Sequence, residues 1–332
     1  MHKNKFDRNL VAIGIIATLW STPALYGLDW GNSFQYDNGL NPKAATNGWT
    51  VVEVHNAIAG VGPLWYHVGQ VDPFKNTIQW GNSFRYDNGM NPSVAISTSG
   101  TVVEVHNAMA GVGPLWYRVG QVNTASNTIQ WAKSIQYDNG MNPSVAIYGS
   151  TVIEVHNGAA GAGPLWYRVG HVNTSNNTIQ WGNSFWYDNG MNPSIAIFES
   201  TIAEVHNGTA GLGPLWYHVG QVNTSSDTIQ WGNSVWYDNG LKPTVAIIFE
   251  PFKAVEVHNG GYGMGWHGTG LLDNVGYFTG ASTIHWYGSA QYDNGMNPCV
   301  AAGFRGTVVE VHDGVGGVGP LWYRVAHLPI TQ

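Results

Sequence analysis

Apolar and polar positions alternate in short runs along this chain, and the same order of runs returns about every 50 residues. One period carries a small-residue run over 92–96, a β-branched run over 101–106, an aromatic run over 115–121 and a polar-aromatic run over 128–137. Alternation with β-branched and aromatic enrichment predicts strands, and the Gly, Asn, Pro and Ser clusters between the runs predict turns. The register is strict. Tyr-Asp-Asn-Gly starts at Tyr36, Tyr86, Tyr137, Tyr187, Tyr237 and Tyr292, and Glu-Val-His starts at Glu53, Glu104, Glu154, Glu204, Glu256 and Glu310.

A fixed period of this length marks a repeat architecture, and four strands per period is the pattern of a propeller blade. The chain ends sharpen this. Residues 28–33 match the fourth strand of a copy, whereas the last copy stops after its third strand near Val325. Joined, the two ends complete a blade and remove exposed sheet edges. The expectation is an all-β, six-bladed β-propeller of four-stranded blades, closed by the N-terminal strand joining the last blade. Val94 and Ala95 fit the crowded strand at the axis, and Trp131 the outermost strand. The His-Asn to Gly-Pro-Leu-Trp segment and Tyr-Asp-Asn-Gly are expected as loops or turns on one face.

Composition adds limits. Lys3, Lys5 and Arg8 precede an apolar run from Leu10 to Trp20 and then Thr22-Pro23-Ala24, which predicts a signal peptide over 1–24, a single domain over 25–332 and secretion to the periplasm or outside. No later run is apolar enough for an integral membrane protein. Without the leader, 10 of the 13 basic and 19 of the 20 acidic residues remain, a net charge of −9 that speaks against nucleic acid. Cys299 is the one cysteine, so an intrachain disulfide is excluded, and it occupies the place of Ser93, Ser144, Ser194 or Thr244 as a small packed residue.

Candidate chemistry lies on the face whose wording recurs. Residues two apart on a strand share a side, so Glu53 and His55, Glu104 and His106, Glu154 and His156, Glu204 and His206, and Glu310 and His312 point together. Such pairs suit hydrogen bonding to sugar hydroxyls, or else satisfy inter-blade backbone or each other. Trp65, Trp116, Trp166, Trp216 and Trp322 open the aromatic strand at that face, where an indole can stack on a sugar ring or fill core. The second indole series, Trp30, Trp80, Trp131, Trp181, Trp231 and Trp286, is expected as inter-blade core. One carboxylate and one imidazole per copy fall short of a metal shell, and no cofactor motif or catalytic signature occurs.

The phrases Val-Val-Glu-Val-His, Pro-Leu-Trp-Tyr-x-Val-Gly and Ile-x-Trp-Gly-x-Ser-x-x-Tyr-Asp-x-Gly resemble those of the PLL-type bacterial propeller lectins and span essentially the mature chain. That resemblance implies binding of fucose or O-methylated glycans on cell surfaces at sites between blades, and is compatible with homo-oligomers. Those relatives have seven blades, and this chain supplies six copies. The resulting expectation is a multivalent, non-enzymatic lectin, with an adhesion or protein-binding scaffold and a propeller glycosidase as alternatives. Copies differ: the fifth reads Gly260-Gly261-Tyr262-Gly263-Met264-Gly265-Trp266-His267, with its site expected to be degraded, and the first carries Lys43-Ala44-Ala45.

Overall fold

A computed structural model describes residues 28–328 except 160, 162, 212, 250–251, 261–268 and 281. The expected signal peptide and the altered segment holding Trp266 and His267 lie outside the described residues.

The structure is a β-propeller built from antiparallel units. In the second unit the strand Phe84–Ile96 pairs through its second half with Thr101–Asn107, that strand pairs with Gly113–Asn123, and Gly113–Asn123 pairs with Thr128–Trp131 and the start of Ile135–Tyr148. The same pattern recurs around each Glu-Val-His strand, and we number these blades 1 to 6 in chain order. Closure follows the expected route. The start of Phe34–Thr46 pairs with Gly319–His327, and Trp30 bridges Ala326, so the N-terminal strand is the outer strand of blade 6.

Tyr-Asp-Asn-Gly is strand rather than the expected turn. Each long strand serves two blades, its first half outermost in one and its second half innermost in the next. A register shift between them, such as Met90/Ser93, makes the crossing. The residue at the crossing adopts left-handed backbone, φ 50° at Asn91 and Asn142, which Asn tolerates better than most residues. The glycine of the phrase is needed for close approach: a Cβ on Gly190 would lie 2.4 Å from His206 Cδ2.

Each blade buries both faces against its neighbours. Trp80 stacks on Tyr36 at 5.0 Å, Trp131 on Tyr86 at 5.3 Å and Trp181 on Tyr137 at 5.2 Å, so the outer indole series is inter-blade core as expected. A second tyrosine seals five of the six seams from the other side. The Ile129 amide donates to Tyr66 Oη at 3.1 Å, Ile179 to Tyr117, Ile229 to Tyr167, Ile284 to Tyr217 and Ile78 to Tyr323. The indole nitrogens of Trp80, Trp131, Trp181, Trp231 and Trp286 stay buried without an acceptor. Cys299 is buried in an inner strand, as its small-residue neighbours in the repeat imply.

The seam between blades 5 and 6 is different. Asp273 stands where other blades have tyrosine, and its Oδ2 accepts from the Leu28 amide at 2.9 Å and from Trp30 Nε1 at 2.8 Å. Burial pushes this carboxyl up to about 6, against the pull of those two donors. A raised native value means that the folded chain holds a proton the unfolded chain has lost, so stability falls as pH rises from about 4 to about 6. Asp273→Asn is expected to flatten that slope. Asp273→Ala, which strands both donors, is expected to cost about 1–3 kcal/mol in urea unfolding at pH 7.

Candidate functional site

The residues expected to meet a ligand divide sharply. Glu53, Glu104, Glu154, Glu204 and Glu310 are wholly enclosed, and His55, His106, His156, His206 and His312 nearly so. They satisfy each other: His206 Nδ1 donates to Glu204 Oε2 at 3.0 Å, and the same contact joins His55 to Glu53, His106 to Glu104, His156 to Glu154 and His312 to Glu310. In blades 2 and 4 a tyrosine of the preceding blade adds a donor, with Tyr86 Oη on Glu104 and Tyr187 Oη on Glu204 at 2.9 Å. Direct sugar contact by the Glu residues is therefore corrected. Their lone pairs are spent inside the protein, and the alternative of mutual satisfaction is the one realised.

Burial pulls the His106, His156 and His312 imidazoles down, and the adjacent Glu charge pushes them up further, for a net upward shift. These groups stabilise the fold fully below the ordinary imidazole value of about 6.5, and that contribution fades as pH climbs through the raised native values.

The five Pro-Leu-Trp indoles, Trp65, Trp116, Trp166, Trp216 and Trp322, are half-buried and face grooves between blades. Each groove also holds the aspartate of Tyr-Asp-Asn-Gly, partly exposed, from the preceding blade. Asp37 meets His67 at 2.6 Å, Asp87 meets Arg118 at 3.5 Å, Asp138 meets Arg168 at 3.4 Å, Asp188 meets His218 at 2.7 Å and Asp293 meets Arg324 at 2.9 Å. Sequence reasoning missed these cations. The signal was present, since in five of the six copies His or Arg falls opposite the repeated Glu on the next strand. In blade 5 that place is Asn274, and Asp238 binds the Ser289 hydroxyl instead.

Burial works against ionisation of Asp188, yet the His218 bond and the Asn189 amide hold its carboxyl down at about 2. His218 Nδ1 donates to Gly232 O at 3.0 Å while Nε2 donates to Asp188, so both ring nitrogens carry hydrogens, in keeping with its upward shift. The grooves are unequal in aromatic surface too. Trp166 pairs across strands with Trp186 and Trp216 with Trp236, and Trp186 and Trp236 are just over half exposed. Gln35, Arg85, Gln136 and Gln291 occupy that place elsewhere.

No family model and no curated protein matches the chain. Solved propellers do. The α-L-arabinanase of Penicillium chrysogenum with arabinobiose is 12% identical over 90% of this chain and 98% of its own, at a TM-score of 0.57. The Fusarium graminearum α-L-arabinofuranosidase is 11% identical over 90% and 98%, at 0.56. The Trypanosoma rangeli sialidase is 12% identical over 88% of this chain, which spans 55% of the sialidase, also at 0.56. At these identities the likeness establishes the fold. It also corrects the expectation of a non-enzymatic lectin, because these propellers are named for cleaving glycosides. Repetition of Glu and His pointed away from an enzyme, but those groups are buried, so their sameness carries no information about the grooves.

Glu204→Ala strands the His206 and Tyr187 donors in a closed interior. It is expected to cost about 3 kcal/mol or more in denaturant unfolding, whereas Trp236→Ala is expected to change stability by under about 1 kcal/mol.

Proposed function

We propose that this chain is a glycoside-cleaving β-propeller whose working groove lies between blades 3 and 4. The observation that carries this reading is that Trp216, with Trp236 as its cross-strand partner, shares a strand side with His218, which holds the Asp188 carboxylate, ionised and 24% exposed. Two indoles on one wall offer a flat apolar platform to the C–H face of a sugar ring. A fixed carboxylate beside it stabilises the positive charge that grows on the ring during glycoside cleavage. His218 spends both ring nitrogens on Asp188 and Gly232, so it positions the carboxylate.

Glu204 lies behind this pair and has no access to the groove. One reachable carboxylate supplies charge stabilisation but no second carboxyl for the leaving oxygen, so activated aryl glycosides are the substrates to try first. The named activities of the similar propellers make arabinofuranosides and sialosides the first members of the panel. The basic and apolar first 24 residues support an exported site of action.

The test is release of nitrophenol from that panel by the purified chain. Asp188→Asn is expected to lower turnover by about a hundredfold or more in protein that is still folded, though with a lower melting temperature, and Trp236→Ala to raise KM. Absence of turnover across the panel by folded protein, or equal turnover by Asp188→Asn, overturns the reading.

A further inference from the structure

The inner strands meet at the axis, and there the repeat is broken by charge. Five of them cross into the ring with Asn41, Asn91, Asn142, Asn192 and Asn297, whereas blade 5 has Lys242 at φ 51°, a left-handed backbone that costs lysine more than asparagine. The asparagines pass hydrogen bonds sideways, Asn91 Nδ2 to Asn142 Oδ1 at 2.9 Å and Asn142 Nδ2 to Asn192 Oδ1 at 3.1 Å. Lys242 ends this run and donates to Asn297 Oδ1. One step deeper, Lys43 takes the place of Ser93, Ser144, Ser194, Thr244 and Cys299. Both lysines line a cavity of about 140 Å³.

That cavity is rich in donors and poor in acceptors. The Lys43 ammonium forms no hydrogen bond or ion pair among the described residues. Ser93 Oγ accepts the Val145 amide at 3.2 Å, Ser144 Oγ the Ile195 amide at 3.3 Å and Ser194 Oγ the Val245 amide at 3.3 Å. Each hydroxyl hydrogen is then left to donate. The nearby carboxylate, Asp313, is fully buried, and its oxygens are held by the Asn41 amide and Asn297 Nδ2. Lys43 is half-buried in the cavity and Lys242 stands exposed at its mouth, and the two ammonium groups repel each other: desolvation and the Lys43 charge push Lys242 down, against the opposing charge of Asp313. An anion between them removes that penalty.

We propose that the axial cavity binds a small oxyanion, a phosphate, sulfate or carboxylate group, with Lys43 and Lys242 as its charged ligands and seryl hydroxyls as neutral donors. The volume is below the roughly 300–1,000 Å³ of pockets that enclose drug-sized ligands, so the cavity takes a headgroup rather than an oligosaccharide. This site is separate from the groove between blades 3 and 4, and its test reads binding rather than glycoside turnover.

The test is calorimetric titration of the full chain with inorganic phosphate, sulfate, glucuronate and glucose at matched ionic strength. One saturable site is expected, weakened about tenfold or more by Lys43→Ser and by Lys242→Asn and kept by Lys43→Arg. The two weakening substitutions copy other blades and so preserve the ring, which the melting temperature checks. Binding of phosphate or sulfate alone assigns the free ion, and binding of glucuronate but not glucose assigns the charged end of an acidic saccharide; both support the site. No saturable binding by any anion, or binding unchanged in the Lys43→Ser/Lys242→Asn double variant, overturns it.

Discussion

The contact between one blade and the next is the constraint on which this molecule depends. A four-stranded sheet that buries both faces cannot stand alone, and each seam is sealed by a Trp stacked on a Tyr and, at five of the six, by a second Tyr hydroxyl accepting a backbone amide. This demand repeats at every seam and explains why Trp, Tyr and the β-branched strand recur in step. It also has a cost. Five indole nitrogens are buried without acceptors because the tyrosine hydroxyl serves the Ile amide instead. Where the strand of Trp30 closes the ring, a carboxylate takes both donors, and a charge-assisted bond is the stronger fastening.

Much of this was legible in the amino-acid order. The period, the split last blade, the small inner strand and the core role of the outer indoles follow from side-chain size and alternation, which are local properties. Tyr-Asp-Asn-Gly was misread for a physical reason. Asp-Asn-Gly carries the residues of a tight turn, but here the glycine makes room for a histidine ring and the left-handed backbone falls two residues later, at an asparagine. Periodicity cannot distinguish a strand that turns back from one that bends at a bulge into the next blade.

The site was legible only in part, because recurrence was weighted above difference. Glu and His recur since each of these strands buries its carboxylate against its own imidazole, and a group spent that way cannot meet a ligand. Positions free to vary are those on the groove walls and at the axis, where packing imposes little. Gln35, Arg85, Gln136, Trp186, Trp236 and Gln291 share one place in the repeat, and His or Arg shares another. Reading the copies against one another at those places would have found both the paired indoles and the cations beside the aspartates.

Charge at the equivalent places then separates the grooves. Five aspartates have a cation beside them that fixes the carboxylate in place, while among the described residues Asp238 has a hydroxyl and an amide as donors. Beside it, burial pushes the Glu256 carboxyl up, and Asp238 pushes it further, an arrangement that resists a second negative charge. His258 Nε2 is buried there without a partner, whereas His206 Nε2 faces Asp188 at 3.6 Å. The groove between blades 4 and 5 therefore lacks the rigid ion pair that the groove between blades 3 and 4 presents beside its two indoles. Among the described residues the two walls differ by one cation and two aromatic side chains, with Asn274, Leu272 and Gln291 in the places of His218, Trp216 and Trp236, and that difference fits one groove to hold charge against a sugar better than the next.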